Sequence, residues 1–275
     1  MTVGAATAAT LASVQEPAWT RRAVPLLGTL VEVGVPAGQG ARLQRAFDRI
    51  ADIEAVLSRF LPESDIGRFN AAEAGHEFRV RDETVAVLRA ARELQEASGG
   101  LFDVSLGSGP QHWIVVDGWL RKLDHAVRLD LGGIGKGFAV DEAVRALIDS
   151  GAEAGWVNAG GDLRVFGDVD LPVRRREEDH GGVRLFGTLR DGALATSRFG
   201  AGSRSQGGMS CVPGADALPA CQISVAAPLA MWADALTKVV ALSRDTEHPL
   251  LRRFEAMAWC WSLSPRSGST ADLTG

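Results

Sequence analysis

The chain has 275 residues, with 29 Lys and Arg against 34 Asp and Glu, and a formal net charge of −5. That balance argues against general nucleic-acid binding, because a mildly acidic chain gains no counterion release from phosphate backbones; the one dense basic run, Arg174-Arg175-Arg176, is met at once by Glu177-Glu178-Asp179 and reads as a solvated loop. Three cysteines, Cys211, Cys221 and Cys260, lack C-x-x-C spacing and argue against a disulfide framework or structural zinc site, and no run approaches the roughly 18 apolar residues of a membrane span.

The first residues are rich in Ala and Thr, with no Lys or Arg before Arg21, so they lack the basic start and apolar centre of a secretory signal. The expectation is a frayed terminus over 1–22 in a cytoplasmic protein. Leu26–Val35 reads as one strand. Leu43, Ala46, Phe47, Ile50, Ile53 and Leu57 recur at helical spacing and predict a long amphipathic helix over Ala41–Phe60, ended by the turn Leu61–Ser64. A second helix is predicted over Glu83–Ala97, stopped by Gly99-Gly100, and a buried strand over Val127–Leu131. A third helix follows over Phe138–Asp149. Trp156-Val157 and Leu163–Phe166 read as strands joined by the turn Asn158–Asp162. Residues 167–220 read as surface loops with an occasional strand such as Val183–Leu189, then come a strand at Ile223–Ala227, a helix from Pro228 to Leu242 and a last strand over Phe254–Leu263. This order lacks a steady β-α-β rhythm and predicts an α+β fold or a mixed sheet.

Three segments carry chemical signals. Asp130-Leu131-Gly132-Gly133-Ile134-Gly135-Lys136-Gly137 stands between a predicted strand and a helix, where glycines admit a ligand, the helix start offers free N–H groups and Lys136 adds a charge. It outlines a polyphosphate cradle, yet it matches neither a Walker loop nor G-x-G-x-x-G, and a plain tight turn would read the same way. In the second, Asp234, Thr237 and Lys238 converge on one helix face, which suits a hard cation or an ordinary ion pair. Third, Asp103, among apolar neighbours, could bond a ligand or cap its own backbone, and Asp162 after Gly160-Gly161 is equally open. The five histidines show no metal-ligand spacing.

In this order the segments resemble the FAD:protein FMN transferase family, the ApbE-like flavin transferases, from about Leu26 to Trp261. The matching motifs are Leu27-Gly28-Thr29, Ser58-Arg59-Phe60 with Ser64 and Asn70, Gly99–Asp103, Asp130–Gly137, Asn158–Asp162, Ala195-Thr196-Ser197, and Ser224-Val225 before Ala233-Asp234-Ala235-Leu236. The resemblance implies a single α+β, T-fold-like domain over 23–265, with antiparallel or mixed sheets, packed helices and a central FAD cleft, followed by a tail over 266–275. It implies that Leu27, Phe60, Leu101, Phe102, Asp103, Asp130 and Lys136 line the FAD site. The Gly133 carbonyl, Asp234 and Thr237 would hold Mg²⁺, with Asp234 and Lys238 at the catalytic centre. The implied reaction moves FMN from FAD to a Thr or Ser hydroxyl of a target flavoprotein and releases AMP. The chain has no tyrosine, so stacking on a flavin falls to Phe60 or another Phe or Trp.

Two positions depart from the family pattern. Its metal-site threonine, four residues after the Asp, is Lys238 here, and Thr237 stands one residue earlier; the Lys238 ammonium is expected to take over part of the metal's role. The family's histidine loop should fall near Ser210–Ala220, where the chain reads Ser210-Cys211-Val212-Pro213-Gly214-Ala215-Asp216. The alternative reading is therefore a homologue that binds FAD, or splits its pyrophosphate, without flavin transfer.

Overall fold

Alternation along β2 (Thr29–Pro36) turns Val31, Val33 and Val35 into the core and Glu32 to the opposite face. In the computed structural model, which describes residues 18–177, 182–200 and 218–262, β2 pairs antiparallel with β1 (Trp19–Leu26) across a two-residue turn. Both turn residues, Leu27 (φ 55°) and Gly28 (φ 68°), are left-handed. Such a turn follows the natural twist of a hairpin; Gly28 adopts it freely, and Leu27 carries the steric cost. The single strand expected over Leu26–Val35 is therefore two, and β1 begins inside the stretch expected to fray. The apolar run from Val24 to Leu30 hides the turn from a reading by hydropathy.

β1 and β2 open a seven-stranded sheet in the order β1-β2-β6-β7-β10-β11-β12. The others are β6 (Gly155–Ala159), β7 (Asp162–Phe166), β10 (Gly192–Phe199), β11 (Cys221–Ala227) and β12 (Met257–Ser262), and every neighbouring pair is antiparallel. Three helices pack on one face: α1 (Leu43–Leu57), α4 (Gly135–Asp149) and α5 (Ala230–Ser243). The predicted stripe of α1, Leu43 to Leu57, is buried there as its spacing requires. The other face is covered by a hairpin, β8 (Leu171–Glu177) with β9 (Gly182–Leu189), over a smaller cluster that includes Trp156, Val165, Leu189 and Leu194. A satellite region adds α2 (Asp65–Ala71), α3 (Asp82–Ala97) and a small sheet of β3 (Glu77–Arg79), β5 (Trp119–Lys122) and β4 (Trp113–Val116). The short α6 (Pro249–Arg253) precedes β12. The fold is α+β with antiparallel sheets.

Three expectations are corrected. The stretch over 167–220 is more regular than expected, with three strands, and the run Arg174-Arg175-Arg176 lies on β8 and not in a loop. The last strand starts at Met257, because Phe254–Ala256 form the turn that ends α6, their N–H groups donating back to the carbonyls of Leu250, Arg252 and Leu251. Val127–Leu131, buried except at Arg128, joins no sheet. Its backbone is served instead by a side chain: Leu129 N–H donates to Asn70 Oδ1 at 2.7 Å, and Asn70 Nδ2 donates to the Leu129 carbonyl at 2.9 Å. Residues 1–17, the expected tail over 266–275, Cys211 and the Ser210–Asp216 stretch lie outside the described residues.

Cys221 and Cys260 sit on adjacent strands. Burial, reinforced by Cys260, pushes the Cys221 thiol up to about 11, whereas Cys260 is exposed. At pH 8 only about one Cys221 in a thousand is thiolate. In a Cys211→Ser background, iodoacetamide is expected to alkylate Cys260 and spare Cys221, as read by peptide mass spectrometry. Equal labelling of both would contradict this environment.

Candidate active site

The Asp130–Gly137 loop is fixed before its helix begins. Asn70 clamps Leu129, Asp130 N–H donates to the Val104 carbonyl at 2.8 Å, and the Asp130 carboxylate accepts from Gly132 N–H at 2.8 Å while pairing with Arg59 Nε at 2.9 Å. Every polar group of this turn that is named here has its partner inside the protein. Asn70→Ala leaves the buried N–H and C=O of Leu129 unpaired, at roughly 1–3 kcal/mol each. Urea unfolding is expected to show a loss of about 2–6 kcal/mol; a change below about 1 kcal/mol would mean the clamp is dispensable.

From this turn α4 runs against α5 with almost no gap. Ala230 N–H and Met231 N–H, at the start of α5, donate to the two carboxylate oxygens of Asp141 at 2.9 Å each, and Arg164 pairs with the same carboxylate at 2.7 Å. Burial pushes the Asp141 carboxyl up from its ordinary value, against the pull of Arg164. One helix thereby caps the other and sets the position of Asp234, one turn further along α5. Sequence reading missed Asp141. The available signal was a carboxylate inside the apolar run Phe138–Val144.

Four charged groups meet where α4, β7 and α5 converge. Lys136 Nζ lies 2.7 Å from Asp162 Oδ2 and 3.3 Å from Asp234 Oδ2, and Gly137 N–H lies 3.4 Å from the latter. Lys238 donates to Asp234 Oδ1, to the Asp234 carbonyl at 2.9 Å and to Ser197 Oγ at 3.3 Å. The Thr237 hydroxyl is 2.7 Å from the Asp234 carbonyl and 2.8 Å from Ser197 Oγ. Burial opposes the charge on Asp234, but the Lys136 and Lys238 ammoniums outweigh it and hold its carboxyl below the usual range. Burial and the Asp234 charge push Asp162 up. Lys136 is raised, because its two carboxylates outweigh burial.

Lys136 also faces outward, with a third of its side chain exposed. It lines a cavity of about 300 Å³ with Leu27, Arg59, Phe60, Asp130 and Gly132. Phe60 is 74% exposed at the rim, its ring 4.3 Å from the Arg59 guanidinium. Four of the seven expected cofactor residues, Leu27, Phe60, Asp130 and Lys136, are thus together. Leu101, Phe102 and Asp103 are not among the residues lining this cavity. They occupy the adjoining loop, where Phe102 is buried and the Asp103 carboxylate accepts from Ser105 N–H at 2.8 Å and Gly107 N–H at 2.9 Å, capping its own turn. Asp162, left open by the sequence, is a partner of Lys136.

Asp234 and Thr237 stand side by side, as expected of metal ligands, yet their donors do not suit Mg²⁺. A hard cation needs several oxygens with lone pairs to spare. Each Asp234 oxygen already faces an ammonium, and the Thr237 hydroxyl is engaged with Ser197. Among the described residues no three His, Cys, Asp or Glu side chains converge as a metal site.

Comparison with known proteins follows the same outline. Residues 27–115 and 108–258 match the model of the ApbE family. A Treponema pallidum protein named FAD:protein FMN transferase is 28% identical over 220 residues, covering 64% of this chain and 61% of that protein. A Rhodobacter capsulatus protein of the same name is 28% identical over 183 residues, covering 52% of this chain and 34% of the relative. The chain therefore spans less than two thirds of either relative. Among solved structures, the apo flavinyl transferase ApbE of Pseudomonas stutzeri superposes with a TM-score of 0.75 at 19% identity, covering 92% of this chain and 94% of that one. The flavin transferase ApbE of Vibrio cholerae gives 0.70 at 18%, covering 88% and 93%. At these identities the structures establish a shared fold.

Proposed function

The chain belongs to the ApbE family, and from that premise we propose that it binds FAD beside Lys136 and transfers the FMN half to a Thr or Ser hydroxyl of a target flavoprotein. The observation that carries this reading is Lys136, a lysine held by two buried carboxylates yet open to the cavity on its outer side. An ammonium so fixed can meet a pyrophosphate without reorganising. Apolar Leu27, Ile53 and Leu57 on the cavity wall, and Phe60 at its rim, suit the faces of a flavin ring.

In the reaction the acceptor oxygen attacks the FMN phosphorus, and the bond from that phosphorus to the bridging oxygen breaks. AMP departs with that oxygen, and the hydroxyl proton is lost to solvent. Negative charge grows on the bridging oxygen as the bond fails, and Lys136 is placed to neutralise it. Arg59, paired with Asp130 at the same wall, adds a second positive group. Positioning and charge neutralisation are the main demands of phosphoryl transfer.

Incubating the purified protein with FAD and a Thr-bearing flavoprotein domain tests the reading. In-gel flavin fluorescence on the acceptor, with one AMP released per flavin attached, is the expected result. Free FMN and AMP without attachment would replace transfer by pyrophosphate cleavage, and unchanged bound FAD would make the protein a flavin carrier.

A further inference from the structure

We infer that Lys238 is a resident cation at Asp234, so that a pyrophosphate is held at this site without a divalent metal; the inference rests on the FAD-binding reading above. Asp162 and Asp234 bring two negative charges, Lys136 and Lys238 two positive ones, and the four groups touch in one chain of ion pairs. The set is balanced as it stands. A divalent ion at Asp234 would lie in contact distance of two ammoniums in a buried place, where like charges repel strongly.

The lysine is locked by its surroundings. Its side chain is 7% exposed, and its ammonium donates to the Asp234 carboxylate, the Asp234 carbonyl and Ser197. That accounts for the three protons of an ammonium. Swinging Lys238 out to admit a metal would leave the inner Asp234 oxygen and the Ser197 hydroxyl without this donor. The two lysines divide the work. Lys238 neutralises the inner oxygen and positions the carboxylate, whereas Lys136, one third exposed, presents its charge to the ligand.

The test measures binding of ADP, which carries the pyrophosphate without the flavin, and of FAD, by isothermal titration calorimetry in EDTA and in millimolar Mg²⁺. The wild-type Kd for both is expected to differ less than twofold between the two conditions. Lys238→Thr is expected to bind at least tenfold more weakly in EDTA and to recover in Mg²⁺, because the freed carboxylate oxygen and the new hydroxyl can then ligate the ion. A merely structural role for Lys238 would give weakening that Mg²⁺ does not relieve, and would overturn the inference. Mn²⁺ binding followed by electron paramagnetic resonance gives a readout free of flavin. A stoichiometric Mn²⁺ site in the wild type that Asp234→Asn removes would also overturn it, even if Lys238→Thr fails to fold. Failure of FAD to bind under every condition would instead sink the flavin reading, which separates the two failures.

Discussion

Lys136→Met is expected to abolish FAD binding and to cost about 3–5 kcal/mol of stability, the range for removing one partner from a buried ion pair. Asp162 and Asp234 are almost wholly buried, and without Lys136 only Lys238, among the described residues, remains paired with this couple. Much of that cost is the penalty of a carboxylate left charged in the interior. It should therefore depend on pH. Burial and the Asp234 charge already hold Asp162 above its ordinary value in the native protein. A carboxyl raised in the folded state takes up protons on folding, so its penalty is full above the folded value and relieved as pH falls through it. The deficit of Lys136→Met measured by urea unfolding at pH 8 should accordingly narrow toward pH 5. A variant with native stability and native FAD affinity would remove Lys136 from the centre of the site.

Gly137→Ala is expected to cost about 3 kcal/mol, at the upper end for overpacking a tight contact, and to weaken FAD binding more than tenfold. A Cβ at this position would stand 2.2 Å from the Ala230 carbonyl oxygen and 2.7 Å from Met231 Cα, both main-chain atoms that cannot turn aside. The helices must separate, which carries Asp234 away from Lys136 and strains the Asp141 cap. Gly135→Ala is the control. Its Cβ would meet only Leu131 Cβ, at an ordinary 3.5 Å, and alanine favours the helix. Thermal unfolding should show Gly135→Ala at or above wild-type stability and Gly137→Ala well below it. Equal effects at both positions would mean that the close approach of the helices does not matter.

Long periodic elements were legible in the sequence, and short or cross-supported ones were not. The stripe from Leu43 to Leu57 declares α1 because hydrophobic burial on one face is what makes a helix of that length stable. The seven-residue α2 has no room for such a stripe, and its Ser64 cap, whose Oγ accepts from Gly67 N–H at 2.8 Å, reads equally well as a turn. Val127–Leu131 has the composition of a core strand, but the hydrogen bonds of Leu129 at its centre go to Asn70, a partner 59 residues away that no local pattern can reveal. At the site, Lys136 and Asp234 stand out by their local setting, whereas the pairing of Lys136 with Asp162 depends on how β7 docks beside α4. Asp103 shows the opposite case: its apolar neighbours suggest a ligand role, while its carboxylate is turned onto its own loop.

The sequence separation of 98 between Lys136 and Asp234 has a consequence in time. During synthesis at about 5–20 residues per second, the cradle loop leaves the ribosome roughly 5–20 seconds before the second carboxylate does. Asp162 follows the lysine by 26 residues and can pair with it early, but Gly137 has no helix to rest on until α5 is made. The centre around Lys136 therefore matures only after α5 is made. A nascent chain halted before α5 carries Lys136 without the Asp234 carboxylate that aims it, so the four-charge centre cannot close until α5 is made.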